Sequence, residues 1–263
     1  MKRSTCACLN WPALGLTVAM ISGCNMPMID SVQEQPLKAQ SVNRLAALHT
    51  QLGIGYLREG RNELAFQKLS KALEVQPDYS GAHNAIALLY ERLGQDERAR
   101  KHFRAAVEYA PQDSGARNNY GSFLCRRGFV NEAIEQFEAA VANPLYEAPG
   151  NALTNAGLCL YRIERAADAE TYLRRALRQN PRQGSALLAM SEITASSGRE
   201  LSARGYLERF LANGKHNSQS LWLGVRIERK LGDLNAASSY ALLLKANYPD
   251  ARETRLLLES ESQ

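Results

Sequence analysis

A 34-residue pattern that recurs along this chain constrains its fold more than any other feature of the sequence. The clearest copy runs from Ser80 to Asp113, with small residues at Ala87 and Ala99, a large apolar residue at Phe103 and a proline at Pro111. Small side chains let two helices touch, large ones fill the space between them, and proline ends the second helix. A helix-turn-helix unit of this size cannot bury its apolar face alone, so we expect it to stack on copies of itself.

The chain contains six such units, with Ala148 and Pro149 inserted between the third and the fourth. They are Ala46–Tyr79, Ser80–Asp113, Ser114–Glu147, Gly150–Gln183, Gly184–Asn217 and Ser218–Ala251. The pattern resembles the tetratricopeptide repeat, which implies an all-α fold, a right-handed superhelical solenoid of about six helix-turn-helix repeats. We therefore divide the chain into a leader (1–23), a tether (24–43), a six-repeat solenoid (44–251) and a C-terminal cap with a polar tail (252–263).

Glycines recur at two places in the units, and each place predicts a structural role. One set is predicted to allow close approach of the two helices of a unit: Gly53, Gly121 and Gly157. A second set falls at the turn between the helices, where a residue with a freely chosen φ is useful: Gly60, Gly94 and Gly128.

The first residues of the chain read as an export signal. Lys2 and Arg3 precede the apolar stretch Ala13–Ile21, which is far shorter than the roughly 20 residues that span a bilayer. The stretch Ile21–Cys24 resembles a bacterial lipobox, in which an aliphatic residue and two small residues precede a cysteine. The resemblance implies that residues 1–23 are removed and that Cys24 is acylated, with palmitate among its acyl chains. The alternative is an ordinary secretory signal with a chance cysteine.

The residue after Cys24 indicates the membrane to which the lipoprotein is sorted. In the lipoprotein family an aspartate there tends to retain the protein at the inner membrane, and this chain has Asn25 instead. The resemblance therefore implies a lipid anchor on the periplasmic face of the outer membrane of a Gram-negative bacterium. Residues 24–43 include Pro27 and Pro36 and show no clean helical period, so they are predicted to form a flexible tether.

Charge and motifs argue against nucleic-acid binding and catalysis. The formal net charge of +5 is spread widely, and two of these charges are in the leader, so we expect no nucleic-acid partner. The four histidines, which are His49, His83, His102 and His216, show no metal-binding spacing, and no nucleophile or phosphate-binding motif is visible. We predict a protein that is not an enzyme, with no catalytic residue, metal, cofactor or small-molecule substrate.

Two cysteines stand out inside the repeats. Cys125 and Cys159 occupy positions 12 and 10 of the first helices of successive units, and such helices pack side by side. In the oxidising compartment that the leader implies, they are candidates for a disulfide. Two small buried thiols are the alternative, which the Cα separation would decide.

A repeat array of this kind usually binds its ligand along the concave surface formed by the first helices. Positions 2, 5, 9 and 12 of those helices line it, and they carry polar residues with apolar patches, which suit a peptide or an extended segment. The candidate protein-binding residues are Asn84, Leu88, Glu91, Asn118, Ser122, Asn151, Thr154, Leu158 and Tyr161. The alternative for each of them is a solvated groove without a ligand.

The third and fourth units carry more than the repeat pattern. The stretches Asn119–Cys125 (NYGSFLC) and Asn155–Cys159 (NAGLC) flank Asn143–Tyr146 (NPLY). With the lipobox and about six repeats, they resemble the type IV pilus biogenesis/stability lipoproteins, the PilF/PilW family. The resemblance implies a pilotin, an outer-membrane lipoprotein that binds the secretin subunit and promotes its outer-membrane localisation and multimerisation, thereby supporting pilus assembly and twitching motility.

The same resemblance implies that the early repeats, Ala46–Asp113, engage this partner. The alternative interpretation keeps the anchor and the fold but changes the partner. It is a lipid-anchored repeat scaffold for cell-wall hydrolases or for outer-membrane protein assembly.

Overall fold

A computed structural model of the chain describes the backbone of residues 34–214 and 216–262, with side chains from Gln40 onward. Contacts separate residues 1–40 from a compact unit, Ser41–Gln263, and this second unit contains the repeats. The predicted leader, the lipidation site Cys24 and the tether up to residue 33 lie outside the described residues.

Thirteen helices make up the described part of the chain, which contains no strand. In chain order α1 to α13 they are Glu34–Arg58, Asn62–Val75, Ser80–Arg92, Asp96–Tyr109, Ser114–Arg126, Val130–Val141, Pro149–Arg162, Ala166–Gln179, Gly184–Ser196, Glu200–Leu211, Ser218–Leu231, Leu234–Asn247 and Arg252–Glu261. The first twelve form six pairs, one for each predicted unit. The all-α repeat fold is therefore confirmed.

Close packing of the two helices within a unit depends on the residues predicted for it. A Cβ atom added at Gly157 would lie 2.7 Å from Cγ of Leu173, and one added at Gly53 would lie 2.5 Å from Cγ of Leu69. These separations are too short for carbon atoms, so only glycine permits this approach. The second helix of each unit carries a buried alanine near its start, such as Ala169.

The turn inside each unit contains one residue with a left-handed backbone. Gly60, Gly94 and Gly128 have φ of 75°, 69° and 85°, as predicted, and the fourth unit has Glu164 there with φ of 62°. A residue with a Cβ atom adopts this conformation at a cost, which glycine avoids. The fourth unit therefore makes the same turn under strain.

The prediction of a flexible tether is wrong for residues 34–43, because α1 already begins at Glu34. Pro36 suggests extended chain when only the sequence is considered, but it is the third residue of the helix. The first amide groups of a helix have no partner inside it, so a proline there removes no hydrogen bond. The helix therefore begins well before the first unit does.

The last helix, α13, occupies the segment predicted to be the cap. It packs against α11 and α12, with Thr254 and Leu257 buried. Its carboxyl end is held by an ion pair in which Nζ of Lys245 lies 2.7 Å from a carboxylate oxygen of Glu261. The apolar face of the sixth unit is therefore covered by the chain itself.

Candidate functional site

Four of the nine predicted groove residues accept hydrogen bonds from side chains of the next unit, and none of those donors was itself predicted to line the groove. The amide of Asn119 donates to Oδ1 of Asn84 at 3.3 Å, and the amide of Asn155 donates to Oδ1 of Asn118 at 3.0 Å. The Asn155 amide also lies 3.3 Å from Oγ of Ser122. These hydrogen bonds form a row of linked side chains along the first helices. Some of the polar groups of the groove candidates are therefore used to hold neighbouring units together.

Two further groove candidates, Glu91 and Asn151, also accept hydrogen bonds from other side chains. The carboxylate of Glu91 accepts two hydrogen bonds from Arg126, at 2.7 and 2.9 Å. Oδ1 of Asn151 accepts one from the amide of Gln183 at 2.8 Å. Glu91 therefore already binds the next unit, and Asn151 binds the last residue of its own unit, directly before α9.

Thr154 was predicted to line the groove, and this prediction is wrong. Its side chain is 2% exposed, and its hydroxyl donates to the carbonyl of Gly150 at 2.7 Å. A threonine inside a helix often bonds back to the carbonyl four residues earlier, which turns the hydroxyl away from solvent. Tyr161 is half-buried against the apolar cluster that includes Leu153 and Leu160.

The exposed apolar candidates are Leu88 and Leu158. Leu158 lines a cleft of about 240 Å³ between the third and fourth units. The lining residues are Ser122, Cys125, Arg126, Phe137, Asn155, Leu158, Cys159 and Arg162. The cleft therefore combines both candidate cysteines with two arginines that the sequence interpretation did not select.

The two candidate cysteines meet at this cleft. The structure joins Cys125 and Cys159 through their sulfur atoms, with the Cα atoms 5.8 Å apart. This separation is within the range that a disulfide spans without backbone movement. The pair connects α5 to α7, the first helices of neighbouring units.

An arginine recurs at position 13 of each of the first four units, with positions counted from the first residue of the unit, and three of these form an arginine ladder: Arg92, Arg126 and Arg162. Each reaches back to position 12 of the preceding first helix. Arg92 donates to the carbonyl of Leu57 at 2.5 Å, Arg126 binds the Glu91 carboxylate, and Arg162 donates to the carbonyl of Cys125. Cations are favourable at the carboxyl end of a helix, where carbonyl groups lack partners. The 34-residue period contained this signal, but the sequence interpretation missed it.

The first unit presents an open apolar surface on α1, which we call the end face. It consists of Val42, Leu45, Leu48 and Leu52, which are 39%, 44%, 51% and 42% exposed. At position 7, which Leu52 occupies in α1, the next unit has Ile86, which is 3% exposed and packed among Leu57, Ala65 and Leu69. Among the described residues no unit precedes the first one, and this surface of α1 is exposed.

Two histidines of the second unit meet between α3 and α4. Nδ1 of His83 lies 3.0 Å from Nδ1 of His102, and Nε2 of His83 lies 2.9 Å from the carbonyl oxygen of Pro77. Since a carbonyl only accepts, Nε2 of His83 carries a proton, and in the neutral pair His102 donates to His83. Burial, aided by His83 and Lys101, lowers the pKa of His102 from 6.5 to about 4.

This histidine pair predicts an acid-sensitive contribution to stability. Between pH 6.5 and about 4 the unfolded chain binds a proton at His102 that the folded chain does not, so the free energy of unfolding decreases as the pH is lowered through this range. Urea unfolding of the parent and of His102→Gln at several pH values measures it. The variant should lose part of the pH dependence, and equal slopes for both chains would contradict the assignment.

Metal clusters and membrane-spanning helices are both absent from the part of the chain that the structure describes. Within residues 34–214 and 216–262, no group of three or more His, Cys, Asp or Glu side chains is placed to hold a metal ion. No helix in the same ranges is both long enough and apolar enough to cross a membrane.

Comparison with known proteins gives consistent relatives. Models of the tetratricopeptide repeat match residues 56–118 and 121–184. The type IV pilus assembly protein PilF of Pseudomonas aeruginosa is 32% identical over 242 residues, which cover 92% of this chain and 92% of PilF. This similarity extends through almost the whole length of both proteins.

Solved structures agree with the sequence match. The structure of P. aeruginosa PilF aligns with a TM-score of 0.76 at 30% identity, covering 84% of this chain and 99% of that one. The structure of PilW, a widely conserved type IV pilus biogenesis factor, aligns with a TM-score of 0.74 at 29% identity, covering 81% and 98%. The repeat architecture is therefore shared with these proteins.

Proposed function

Because this chain belongs to the PilF family of type IV pilus assembly proteins built from tetratricopeptide repeats, we propose that it acts as a pilotin for the pilus secretin. It binds the secretin subunit and promotes its localisation to the outer membrane and its multimerisation there. Pilus assembly and twitching motility then depend on it indirectly. In this proposal the protein recognises the secretin subunit and carries out no catalytic step.

The end face carries this proposal. Four neighbouring apolar side chains on one helix are exposed at the start of the early repeats, whereas the residues that match Leu48 and Leu52 in the second unit, Ala82 and Ile86, are buried. Contiguous exposed apolar surface commonly marks a protein-binding site. The other end of the array is covered by α13, so within the described part of the chain the first unit is the one that offers its stacking surface to a partner.

Membrane attachment is the second part of the proposal. Acyl chains on Cys24 hold the protein at the periplasmic face of the outer membrane, since two or more chains anchor stably where one does not. Residues 24–33 then connect the anchor to α1. The anchor supplies the destination, and the end face supplies recognition of the secretin.

The disulfide between Cys125 and Cys159 is proposed to form after export. It joins the third and fourth units next to the cleft, where Ser122 and Leu158 remain proposed contacts with a partner segment. The other groove candidates, except the buried Thr154, contribute to the same surface.

The end face is tested by replacing Leu48 and Leu52 together with aspartate. Both side chains are exposed, so the fold should persist, while burying two carboxylates in the complex should reduce binding at least about tenfold. The measurement is the amount of heat-resistant secretin multimer in outer-membrane fractions. Leu201→Asp, at an exposed leucine on α10, is the matched control and should leave the multimer unchanged.

The anchor is tested in the same assay with Cys24→Ala. This variant should leave the membrane fraction, and the secretin multimer should disappear from the outer membrane. A normal amount of multimer in both the aspartate variant and a deletion strain would exclude the pilotin role. The remaining candidate would then be the lipid-anchored scaffold for cell-wall hydrolases or outer-membrane protein assembly.

A further inference from the structure

Arg58 occupies the ladder position of the first unit without making the ladder contact. It is exposed in the last turn of α1, and within residues 40–214 and 216–262 no side chain or carbonyl pairs with its guanidinium. Its counterparts Arg92, Arg126 and Arg162 all bind an oxygen atom of the preceding unit. The N–H donors of the Arg58 guanidinium, beside the end face, therefore have no hydrogen-bond partner among the described residues.

The contacts that Arg92, Arg126 and Arg162 make show what kind of group fits at Arg58. In each case the acceptor belongs to position 12, in the last turn of the preceding first helix, and it is a backbone carbonyl or a carboxylate. The two helices run parallel, because Asn119 meets Asn84 toward one end of the pair and Arg126 meets Glu91 toward the other. The arginine thus marks the carboxyl end of a helix parallel to its own.

The apolar contacts show what shape covers the end face. Ile86, at the position of Leu52, packs against residues of α1 and α2, and Met190, at the same position in the fifth unit, packs against residues of α7 and α8. In both cases the covering elements are α-helices. A partner helix with an apolar stripe therefore fits the end face in the way that the helices of one unit pack on the next unit.

We infer that the partner covers the end face with an amphipathic α-helix that runs parallel to α1 and places a carbonyl or carboxylate oxygen at Arg58. This inference rests on the proposed docking of the secretin at the first unit, and it adds the shape, direction and terminal chemistry of the docked segment. Head-to-tail stacking of a second copy of this chain is disfavoured, because α13 blocks continuation of the stack at its other end.

The direction is tested by crosslinking in cells that express the full-length protein and the secretin. A photo-crosslinking amino acid replaces Leu45 in one strain and Arg58 in another, and the linked secretin residues are identified by mass spectrometry. The two sites are 13 residues apart, or roughly 20 Å along a helix. The secretin residue linked to site 58 should follow the one linked to site 45 by roughly 13 positions.

Other results would overturn the inference in distinguishable ways. The opposite order along the secretin, or a spacing of roughly six residues as in an extended strand, would reject the parallel helix and leave the pilotin proposal intact. Crosslinks to a second copy, or to residues of this chain before Glu34, would reject a secretin helix at this face. If the Leu48 and Leu52 aspartate variant and a deletion strain both kept the secretin multimer, the proposed pilotin function would be rejected as well.

The terminal chemistry is tested with substitutions of Arg58 in the full-length protein and detergent-solubilised secretin subunit as the probe. Loss of a charge-assisted hydrogen bond should weaken binding roughly tenfold or more in Arg58→Ala, and Arg58→Glu should weaken it further. Arg58→Lys should retain part of the affinity, because lysine still donates to an oxygen. Arg104→Ala, at an exposed arginine on α4, is the control. Unchanged binding by Arg58→Glu would overturn the role of Arg58.

Discussion

Replacing Phe103 with alanine should lower the free energy of unfolding by about 3 to 5 kcal/mol. The ring is fully buried on α4, and its centroid lies 5.8 Å from that of Tyr120 and 5.1 Å from that of Phe123, both on α5. Its removal leaves a cavity between the second and third units. The contact between these two units connects the early repeats to the rest of the array. Urea unfolding followed by far-ultraviolet circular dichroism measures the loss.

A second phenylalanine provides the control for Phe103. Phe66 is 39% exposed and lies 6.2 Å from Tyr90 between ring centroids, so Phe66→Ala should lose much less stability. Because repeat proteins are stabilised through neighbouring interfaces, the Phe103 variant should also unfold less cooperatively. Equal midpoints for the two variants would show that the second and third units are not coupled through this ring.

Loss of the disulfide should lower the free energy of unfolding by about 2 to 4 kcal/mol. The bridge closes a loop with a sequence separation of 34 residues, and a cross-link of this length restricts the unfolded chain. The comparison is between the oxidised parent and the double variant Cys125→Ala with Cys159→Ala, both expressed in the periplasm. Unfolding midpoints in urea, with and without a reductant, measure the difference.

The reductant provides the internal control for the disulfide. It should lower the midpoint of the parent toward that of the double variant, and it should have no effect on the variant itself. Free thiols at both positions of the periplasmic protein, or a parent insensitive to reductant, would show that the bridge does not form.

The repeat pattern predicted the helices and their pairing because both depend on short sequence distances. Apolar spacing within a helix, a proline such as Pro111 after it and a glycine such as Gly94 in the turn act over a few residues. The contact of Gly157 with Leu173 was also predictable, since both residues belong to one unit whose geometry the repeat sets. The start of α1 was missed because Pro36 is compatible with either a loop or a first helical turn.

The candidate site was predicted less completely than the fold. The sequence selected positions along the first helices, but the side chains that several of them bind lie more than 30 residues away. Asn118 is engaged by Asn155, and Glu91 is engaged by Arg126, so neither is simply open to a ligand. Thr154 turns inward because its hydroxyl has a nearer acceptor in its own helix.

The number of units, their all-α character and the close contacts inside each unit could thus be established from the sequence, because those features follow from local spacing. Which surfaces are left uncovered depends instead on how the units stack. The end face is open because nothing in the described chain stacks before α1, although Leu48 and Leu52 look like core residues in the sequence. Likewise, among the described residues Arg58 lacks the ladder contact that Arg92 makes, because an arginine of the ladder requires a preceding helix, which is a property of the stack and not of the repeat.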